Sequence, residues 1–405
     1  MAKVPTVSID EVRAARELLA DVISATPMER SGALSARIGA ETYLKCENLQ
    51  RAGSFKIRGA YTRMSRLSPE ERERGVVAAS AGNHAQGVAL AAQLLGIRSK
   101  VYMPVGAPMP KLAATRAYGA EVEQVGATLD ESLDAAEDYA ERTGAVLIHP
   151  FDHADIVAGQ GTCGLEILEQ CPDVQTIVVG LGGGGLLAGI AVVARALRPD
   201  VRIIGVQAEQ AAAYPHSLEV GEPVAAERMA TMADGIAVGL PGDVTFPLVR
   251  DLVDEVVTVS EESLARAALF LLERAKLVVE PAGAASVAHL MSRAADPLPG
   301  PVVAVLSGGN IDPLLLMRII RHGMAVAGRF LQVAVVAPDA PGALSGLLAE
   351  VADTRANVVD VGHLRTGTNL RVDQVEIDLV LETRNREHQR EVLERLREKG
   401  YEVRQ

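Results

Sequence analysis

Lys56 is one of two basic residues in the segment Gly53-Ser54-Phe55-Lys56-Ile57-Arg58-Gly59-Ala60, where most neighbours are small. The segment follows a strand-like run, Tyr43–Lys45, and precedes a helix that we predict to begin near Arg58. A lysine at this place can bind a phosphate group or can simply be exposed at a helix start. By residue type alone the exposed helix start is the simpler interpretation, so the chemistry of Lys56 depends on the motifs that accompany it.

The strongest signal for an anion site is the glycine run Gly180-Leu181-Gly182-Gly183-Gly184-Gly185-Leu186-Leu187. It follows a predicted strand, Gln175–Val179, and opens a helix predicted over 186–198. Glycines let backbone N–H groups approach an anion, and a helix N-terminus adds partial positive charge, so the run predicts a phosphate site. The run also fits G-x-G-x-x-G, with Glu209 at the end of the next strand, so a dinucleotide site is an alternative. A tight structural turn is the third interpretation.

Two further turns at strand ends carry polar residues suited to ligand binding. In Ser80-Ala81-Gly82-Asn83-His84 a strand turns into a helix, and free N–H groups with the Ser80 and Asn83 side chains can hold a carboxylate there. The alternative is that Asn83 caps the helix and that His84 makes a hydrogen bond instead of acting as a general base. Ser307-Gly308-Gly309-Asn310-Ile311-Asp312 follows the apolar strand Val302–Leu306, at the sheet edge where α/β folds place ligands.

The composition excludes several classes of protein. The 405 residues include 40 Lys and Arg against 52 Asp and Glu, a net charge of −12, and there are no Trp, 7 Tyr and 5 Phe. The chain therefore lacks the basic stripe and the stacking aromatic residues of nucleic-acid binders. Three cysteines cannot build a disulfide framework, and no C-x-x-C pair suggests zinc. Without an apolar signal segment or a membrane-length apolar run, we expect a cytoplasmic protein that binds neither nucleic acid nor a membrane.

The elements that must position these motifs alternate between apolar strands and helices, which predicts an α/β fold with parallel sheets covered on both faces. Capping signals mark two helix starts: Ser8 with Glu11 opens a helix predicted over 7–24, and Ser68-Pro69-Glu70-Glu71 opens a helix that ends at Gly75. After about residue 329 the order becomes strand, helix, strand, strand, helix, strand. This βαββαβ order over 331–405 is that of a ferredoxin-like module, which should form a separate domain.

In this order, the motifs G-S-F-K-x-R-G, S-x-G-N-H, G-G-G-G and S-G-G-N resemble those of the tryptophan-synthase-like (fold type II) pyridoxal-phosphate enzymes, and within that group the serine/threonine dehydratase family. The resemblance covers about residues 5–325. It implies a catalytic domain, 1–325, built from two parallel-sheet subdomains, the smaller at about 50–145. The tail, 331–405, resembles an ACT regulatory domain through Pro338-Asp339-x-Pro341-Gly342-x-Leu344.

The resemblance assigns a role to each motif. Lys56 matches the lysine that forms a Schiff base with pyridoxal phosphate and then removes the Cα proton, and Phe55 would lie against the pyridine ring. Asn83 matches the residue bonded to the ring hydroxyl, and Ser307 matches the hydroxyl that faces the pyridine nitrogen. The matching phosphate loop consists of Gly182, Gly183, Gly184, Gly185 and Leu186. The matching loop for the substrate carboxylate consists of Ser80, Ala81, Gly82, Asn83 and His84.

The activity implied by the resemblance is β-elimination, in which L-threonine gives 2-oxobutanoate and ammonia and L-serine gives pyruvate. Serine racemases of this fold carry a serine where this chain has Ala81, which has no proton to give, so a lyase is favoured. A serine or hydroxyaspartate dehydratase, or a serine racemase of the same fold, is an alternative. A nicotinamide-dependent oxidoreductase is a more remote one, because it leaves Lys56 and Ser307 unexplained. An amino-acid sensor with a dead catalytic half is disfavoured by the intact Lys56.

The resemblance also bears on metals and effectors. Some relatives bind a divalent cation after the strand near Gly205–Val206. Glu209 is the candidate ligand here, but Pro215 stands where an Asp would be needed, so we predict no metal. In the tail the resemblance places an amino-acid effector, isoleucine or valine, at an interface between paired chains of a homodimer or homotetramer. The residues expected there are Asp339, Gly342, Leu344, Asn357 and Val358. The alternative is that the tail only makes a dimer.

Overall fold

The structure is a computed structural model that describes residues 7–293, 298–365 and 370–404. The chain divides into two compact units, Met1–Pro313 and Leu314–Gln405. The division falls before the boundary expected at 325–331, because the helix Pro313–Val326 starts where the first unit ends.

The first unit contains two sheets, and its strands are mostly short, apolar and buried, as expected for parallel strands covered on both faces. Its strands are β1 Met28–Arg30, β2 Thr42–Lys45, β3 Val76–Ala79, β4 Ser99–Met103, β5 Glu121–Gln124, β6 Val146–Leu147, β7 Thr176–Gly180, β8 Arg202–Ala208, β9 Glu255–Val259 and β10 Val302–Val305. The larger sheet has the order β1-β2-β10-β7-β8-β9, and the smaller has the order β5-β4-β3-β6. The α/β class and the two-sheet catalytic unit are thereby confirmed.

The larger sheet departs from the expected all-parallel pattern at one edge. Strand β1 pairs antiparallel with β2, with Met28 opposite Lys45, whereas the other pairings are parallel. The connection between β1 and β2 contains only the short helix Gly32–Ile38. Such a short connection returns the chain alongside itself, and a parallel neighbour would need a longer crossover.

Helices cover both sheets, and the capping signals read from the sequence are present. The helices of the first unit are α1 Ile9–Leu19, α2 Gly32–Ile38, α3 Lys56–Ser65, α4 Pro69–Arg74, α5 Asn83–Leu95, α6 Met109–Ala117, α7 Leu129–Thr143, α8 Ala154–Gln170, α9 Gly185–Leu197, α10 Tyr214–Val220, α11 Thr245–Leu252, α12 Glu261–Phe270 and α13 Ala285–Ser292. Helix α14, Pro313–Val326, begins at the boundary and belongs to the second unit from Leu314 onward. Ser8 and Ser68 each form a capping box, with Glu11 and Glu71. The helix predicted over 7–24 is shorter, because the Val22 and Ile23 amides both donate to the Leu19 carbonyl and close its last turn.

The three cysteines lie in the first unit and are free and buried. Burial raises the pKa of the Cys46 thiol to about 12 and that of the Cys171 thiol to about 11. The pKa of Cys163 is also raised by burial. All three thiols are therefore protonated at neutral pH.

The second unit confirms the ferredoxin-like order. Its elements after α14 are β11 Phe330–Pro338, α15 Ala343–Asp353, β12 Asn357–Leu364, β13 Gln374–Glu382, α16 Arg386–Glu398 and β14 Glu402–Arg404. They form an antiparallel sheet in the order β12-β13-β11-β14, whose buried side chains pack with those of the two helices. Within the described ranges, no helix in either unit has the length and apolar character needed to cross a membrane.

Candidate active site

Two of the predicted motifs lie side by side in the first unit. Ser54 and Gly308 form an isolated antiparallel bridge. On either side of it, the Phe55 amide donates to the Ser307 carbonyl over 3.2 Å, and the Gly309 amide donates to the Gly53 carbonyl over 2.9 Å. The segment before Lys56 and the turn after β10 are thus held together by backbone hydrogen bonds.

The third motif joins this pair through side-chain amides. Asn310 Nδ2 donates to the Ala52 carbonyl over 2.7 Å and to Asn83 Oδ1 over 2.8 Å. Asn83 Nδ2 in turn donates to a carboxylate oxygen of Glu280 over 2.5 Å. Both ends of the Asn83 amide therefore have a partner, which fixes which end carries the oxygen.

Lys56 is the first residue of α3, and its amine lies in a poorly solvated place. Its Nζ donates to the Pro150 carbonyl over 2.9 Å and lies 5.2 Å from the centre of the Phe55 ring. Burial lowers the pKa of Lys56 to about 8, although the nearby Glu280 acts in the opposite direction. An amine with this pKa has a much larger neutral fraction near physiological pH than an ordinary lysine, so it can act as a nucleophile or a base.

The turn before α5 leaves N–H groups open to an anion. Gly82, not Asn83, is the N-cap residue, and no side chain in the described part of the chain caps this helix. The interpretation of Asn83 as a helix cap is therefore wrong, because its amide is engaged elsewhere. Ser80 Oγ accepts from the Gly82 amide over 3.1 Å, and Lys111 Nζ lies 3.7 Å from where a Cβ on Gly82 would stand. A carboxylate placed at this turn would meet a helix N-terminus and a nearby ammonium group.

His84 is unsuited to act as a general base here. Its Nε2 lies 2.7 Å from the Ile148 carbonyl. A carbonyl can only accept, so Nε2 carries the proton. Burial, together with the positive charge of Lys56, lowers the pKa of His84 to about 3. The hydrogen-bonding interpretation fits His84, which holds α5 to the segment after β6.

The glycine run is shaped by its neighbours so that side chains would not fit. A Cβ on Gly183 would stand 2.2 Å from the Phe151 ring, and one on Gly184 would stand 2.4 Å from Tyr214 Oη. Gly184 also has φ of 97°, in the left-handed region, and it is the N-cap of α9. Phe151 directly follows Pro150, the residue whose carbonyl accepts from Lys56, so the run and the lysine belong to one site.

A hydrogen-bond chain orients the peptide between Gly183 and Gly184. Tyr214 Oη and Thr245 Oγ1 donate to the Gly183 carbonyl over 3.1 and 2.6 Å. The peptide is planar and trans, so the Gly184 N–H points the opposite way, away from these hydroxyls. Asp152 fixes Thr245 by accepting from the Val244 and Thr245 amides at the start of α11. The glycine run offers an oriented backbone N–H group to an anion, and Lys56, with its lowered pKa, lies nearby. Together they fit a cofactor that carries a phosphate and an aldehyde, as the resemblance implies.

Behind Lys56, a buried group of charges holds α3 in place. Arg58 Nε lies 2.7 Å from Glu47 Oε2, and its Nη1 lies 2.7 Å from Glu166 Oε1. Lys45 Nζ lies 2.6 Å from Glu166 Oε2. The side chains of Arg58, Glu47 and Lys45 are completely buried. These ion pairs connect β2, α3 and α8. Arg58 is two residues after Lys56 in α3, so the pairs constrain where the lysine can lie.

The remaining predicted residues have less specific surroundings. Ser307 is 5% exposed, and Leu186 is buried in the core with α9. Glu209 begins a short 3-10 helix after β8. Across residues 7–293, 298–365 and 370–404, no group of three or more His, Cys, Asp or Glu side chains could hold a metal ion.

Several site residues were not identified from the sequence. Glu280 carried a signal, because it is a single acidic residue in the apolar run 277–285. Phe151, Tyr214 and Thr245 carried none, since contacts with the glycine run depend on packing over long sequence separations. Asn310 lies in a motif that was recognised, but no role was assigned to it.

In the second unit, only part of the expected effector region comes together. A cleft of about 200 Å³ is lined by Asp339 and Gly342 of the loop after β11, by Leu344 at the start of α15, and by His363, Arg365 and Val375. Asn357 and Val358 lie elsewhere within the chain. Pro338 pairs with Gln374 and Asn357 pairs with Glu382, so the two regions occupy opposite ends of the sheet.

Comparison with known proteins finds similar proteins over most of the chain. Residues 19–308 match the family model described as "Pyridoxal-phosphate dependent enzyme". An L-threonine ammonia-lyase from Thermotoga maritima is 48% identical over 398 residues, which cover 98% of this chain and 99% of that protein. The likeness therefore extends through both units.

Solved structures also resemble most of this chain. A maize serine racemase superimposes with a TM-score of 0.74 at 35% identity, covering 80% of this chain and 99% of that one. The processed form of threonine deaminase isoform 2 from Solanum lycopersicum superimposes with a TM-score of 0.71 at 37% identity, covering 79% of this chain and 91% of that one.

Proposed function

The chain belongs to the family of pyridoxal-phosphate-dependent enzymes, and we propose that within it the chain is an L-threonine ammonia-lyase, which converts L-threonine to 2-oxobutanoate and ammonia. The observation that carries the proposal is the 48% identity to the Thermotoga maritima enzyme over 98% of the chain. Lys56 and the glycine cradle supply the chemistry that this reaction requires. L-Serine, which lacks one methyl group, is the expected second substrate and would give pyruvate.

Lys56 is the base of the reaction. Pyridoxal phosphate, when bound, supplies an aldehyde that condenses with amines and a ring that draws electrons away from Cα of the substrate. The Lys56 amine, with its pKa lowered to about 8, takes the Cα proton at Nζ. The Pro150 carbonyl, which accepts from Nζ over 2.9 Å, orients that amine.

Other residues of the site bind and orient. The Gly184 N–H and the start of α9 would hold the cofactor phosphate, with the cradle Gly182–Gly185 and Leu186 around it. Asn83 would donate its second amide N–H to the ring hydroxyl, and the Ser307 hydroxyl would face the pyridine nitrogen. The turn Ser80–His84 holds the substrate carboxylate through the uncapped start of α5.

The test is turnover by the purified holoenzyme. With L-threonine we expect stoichiometric 2-oxobutanoate and ammonia, and with L-serine we expect pyruvate at a lower kcat/KM. Failure to form a 2-oxo acid from either amino acid, by a preparation that carries the cofactor, would refute the proposed reaction.

Ala81 bears on racemisation, the activity named for the maize structure. Its methyl group packs against the apolar cluster between α5 and α6 and offers no proton to the substrate face opposite Lys56. We therefore expect L-serine recovered after partial turnover to remain L-serine. Accumulation of D-serine at a rate comparable to that of pyruvate would show that another residue supplies the proton.

Cofactor attachment should depend on pH in a way that reports the Lys56 pKa. Only the neutral amine attacks an aldehyde, and the pKa of Lys56 is about 8 instead of 10.5 because the amine is buried. The rate of attachment to apoenzyme should therefore rise up to about pH 8 and then level off. A rate that continues to rise tenfold per pH unit up to pH 10, in stopped-flow absorbance measurements, would contradict this prediction.

We also propose that the tail, 331–405, is an ACT domain that regulates the enzyme. In the cleft, Arg365 Nε lies 3.3 Å from Asp339 Oδ1, so a cation and an anion stand beside apolar Leu344 and Val375. This combination suits the carboxylate, ammonium and side chain of isoleucine or valine. Asn357 and Val358 lie at the other end of the sheet, so they would reach an effector only from a second chain, as in a homodimer or homotetramer.

The three free cysteines support a cytoplasmic location.

Replacing Asp339 with asparagine should weaken the response to the effector. We expect isoleucine or valine to change the threonine concentration at half-maximal rate by about 5- to 150-fold in the unmodified enzyme, the usual range of allosteric coupling. D339N should require about tenfold more effector for the same change, since it loses a charged partner for the ammonium group. The control is D353N, which removes an aspartate paired with Arg395 on the helices of the same unit. An equal response of D339N and the unmodified enzyme would contradict the placement of the effector.

A further inference from the structure

Glu280 is a buried acid at the centre of the site to which the reaction described above assigns no role. Glu280 is 2% exposed, and its backbone N–H donates to the Gly308 carbonyl over 3.1 Å. A Cβ on Gly308 would stand 2.3 Å from Glu280 Oε1, so the glycine there leaves room for the carboxyl group. The turn after β10 is therefore shaped around Glu280.

The contact of Glu280 with Asn83 has a directional consequence. Glu280 accepts one N–H of the Asn83 side chain, and Asn310 donates to the other end of that amide. A flipped Asn83 would place its oxygen against the Glu280 carboxylate and its NH₂ against the NH₂ of Asn310. Both contacts would be repulsive, so the amide has one orientation. In that orientation the second N–H of Asn83 is available to a bound group.

Charged and polar groups from several helices and loops of the first unit surround Glu280. Asp234 raises its pKa in addition to burial, whereas Lys111, Asn83 and Lys56 lower it. The result is a pKa of about 7 for Glu280. Lys111 is itself ion-paired with Asp234, so the group that faces Glu280 contains two cations and one anion. Glu280 is thus an acid that can change charge near neutral pH without leaving its hydrogen bond, because a protonated carboxyl still has a carbonyl oxygen that accepts.

We propose that Glu280 is a positioning residue that holds the Asn83 amide with one N–H directed at the ring hydroxyl of pyridoxal phosphate, and that its charge sets the polarity felt by that hydroxyl. The proposal depends on the proposed function only in that the bound group is pyridoxal phosphate. It makes no demand on the substrate.

The test compares cofactor binding by E280A, E280Q and N83A in the full chain, without substrate. E280A should raise the Kd of pyridoxal phosphate about tenfold, because Asn83 loses the partner that fixes its orientation. E280Q should keep the Kd within about threefold, since its amide oxygen can accept from Asn83. In the double variant N83A/E280A the Kd should equal that of N83A, because Glu280 acts through Asn83.

The absorbance of the bound cofactor gives a second readout. The unmodified protein should show a titration step near pH 7, and E280Q should lack it because glutamine does not titrate. The control is D254N, which removes a carboxylate that accepts from Arg195 and from the Ile203 amide in the same unit. D254N should retain both the Kd and the step.

Three outcomes would overturn the proposal: an unchanged Kd in E280A, additive losses in the double variant, or a pH step that persists in E280Q. If E280A does not fold, the Kd of E280Q and the pH dependence of its cofactor absorbance decide between keeping and rejecting the proposal. A protein that binds the cofactor as described but does not turn over threonine would refute the proposed function and leave this inference standing.

Discussion

Replacing Lys56 with alanine is expected to lower kcat for 2-oxobutanoate formation by at least about 10³-fold. The variant loses both the covalent attachment point for the cofactor and the base that takes the Cα proton. His84 is poorly suited to replace it, because its pKa is about 3 and its Nε2 is held by the Ile148 carbonyl. Lys111 is engaged by Asp234. The measurement is 2-oxo acid formation under saturating cofactor and threonine.

Two comparisons make the Lys56 result specific. K100A removes a lysine of the same unit that pairs with Glu121 and Glu123 on the smaller sheet, and it should retain activity. Added ethylamine should restore part of the activity of K56A, since a small amine can enter the vacated space and accept the proton. Retention of more than a tenth of the activity by K56A would mean that the base has been misassigned.

Replacing Arg58 with methionine is expected to lower the free energy of unfolding of the first unit by about 3–5 kcal/mol. Removing the guanidinium leaves the Glu47 and Glu166 carboxylates without their shared cation. Burial disfavours the charge of Glu166, and Arg58 and Lys45 hold the pKa of that carboxyl below its usual range in spite of it. Methionine has a similar length and no charge, so the variant tests the charge more than the packing.

Urea unfolding of the full chain, followed by circular dichroism, measures this effect. The matched control is R13M, because Arg13 forms an exposed pair with Asp10 and should change the transition little. E47Q should recover part of the stability when combined with R58M, since it removes the buried carboxylate that has lost its ion pair, whereas Glu166 keeps its pair with Lys45. An unchanged urea midpoint in R58M would show that water or rearranged neighbours replace the cation.

The motifs predicted from the sequence come together because each follows the carboxyl end of a strand, where parallel strands place their turns at one edge. Gly53–Lys56 and Ser307–Asn310 are more than 250 residues apart, and their types and order, not any local signal, indicated a common site. The capping boxes at Ser8 and Ser68 were predictable because the pattern is contained in four residues. The βαββαβ order of the tail was predictable for the same reason, since its alternation is local.

The parts that were missed depend on partners distant in sequence. Arg58 and Glu47 lie in segments where a charge is normally solvated, and only the packing of α3 on α8 buries them with Glu166. Glu280 acquires its role from Asn83, 197 positions away. The antiparallel edge at β1 follows from a connection whose helix, Gly32–Ile38, is too short to show a clear helical period. The position of Asn357 at one end of the tail's sheet depends on how the strands pair. The βαββαβ order of the elements does not specify that pairing.

The buried cysteines have a consequence for how this enzyme meets oxidants and electrophiles. Thiolates, not thiols, react with peroxide, iodoacetamide and disulfides, and the thiols of Cys46, Cys163 and Cys171 are held protonated and out of contact with solvent. The group that we propose as catalytic, Lys56, is an amine, which these reagents attack far more slowly than a thiolate. The folded enzyme should therefore retain activity at peroxide concentrations that inactivate thiol-dependent enzymes. Alkylation of a cysteine should occur only when the protein unfolds, so it can be used to measure unfolding.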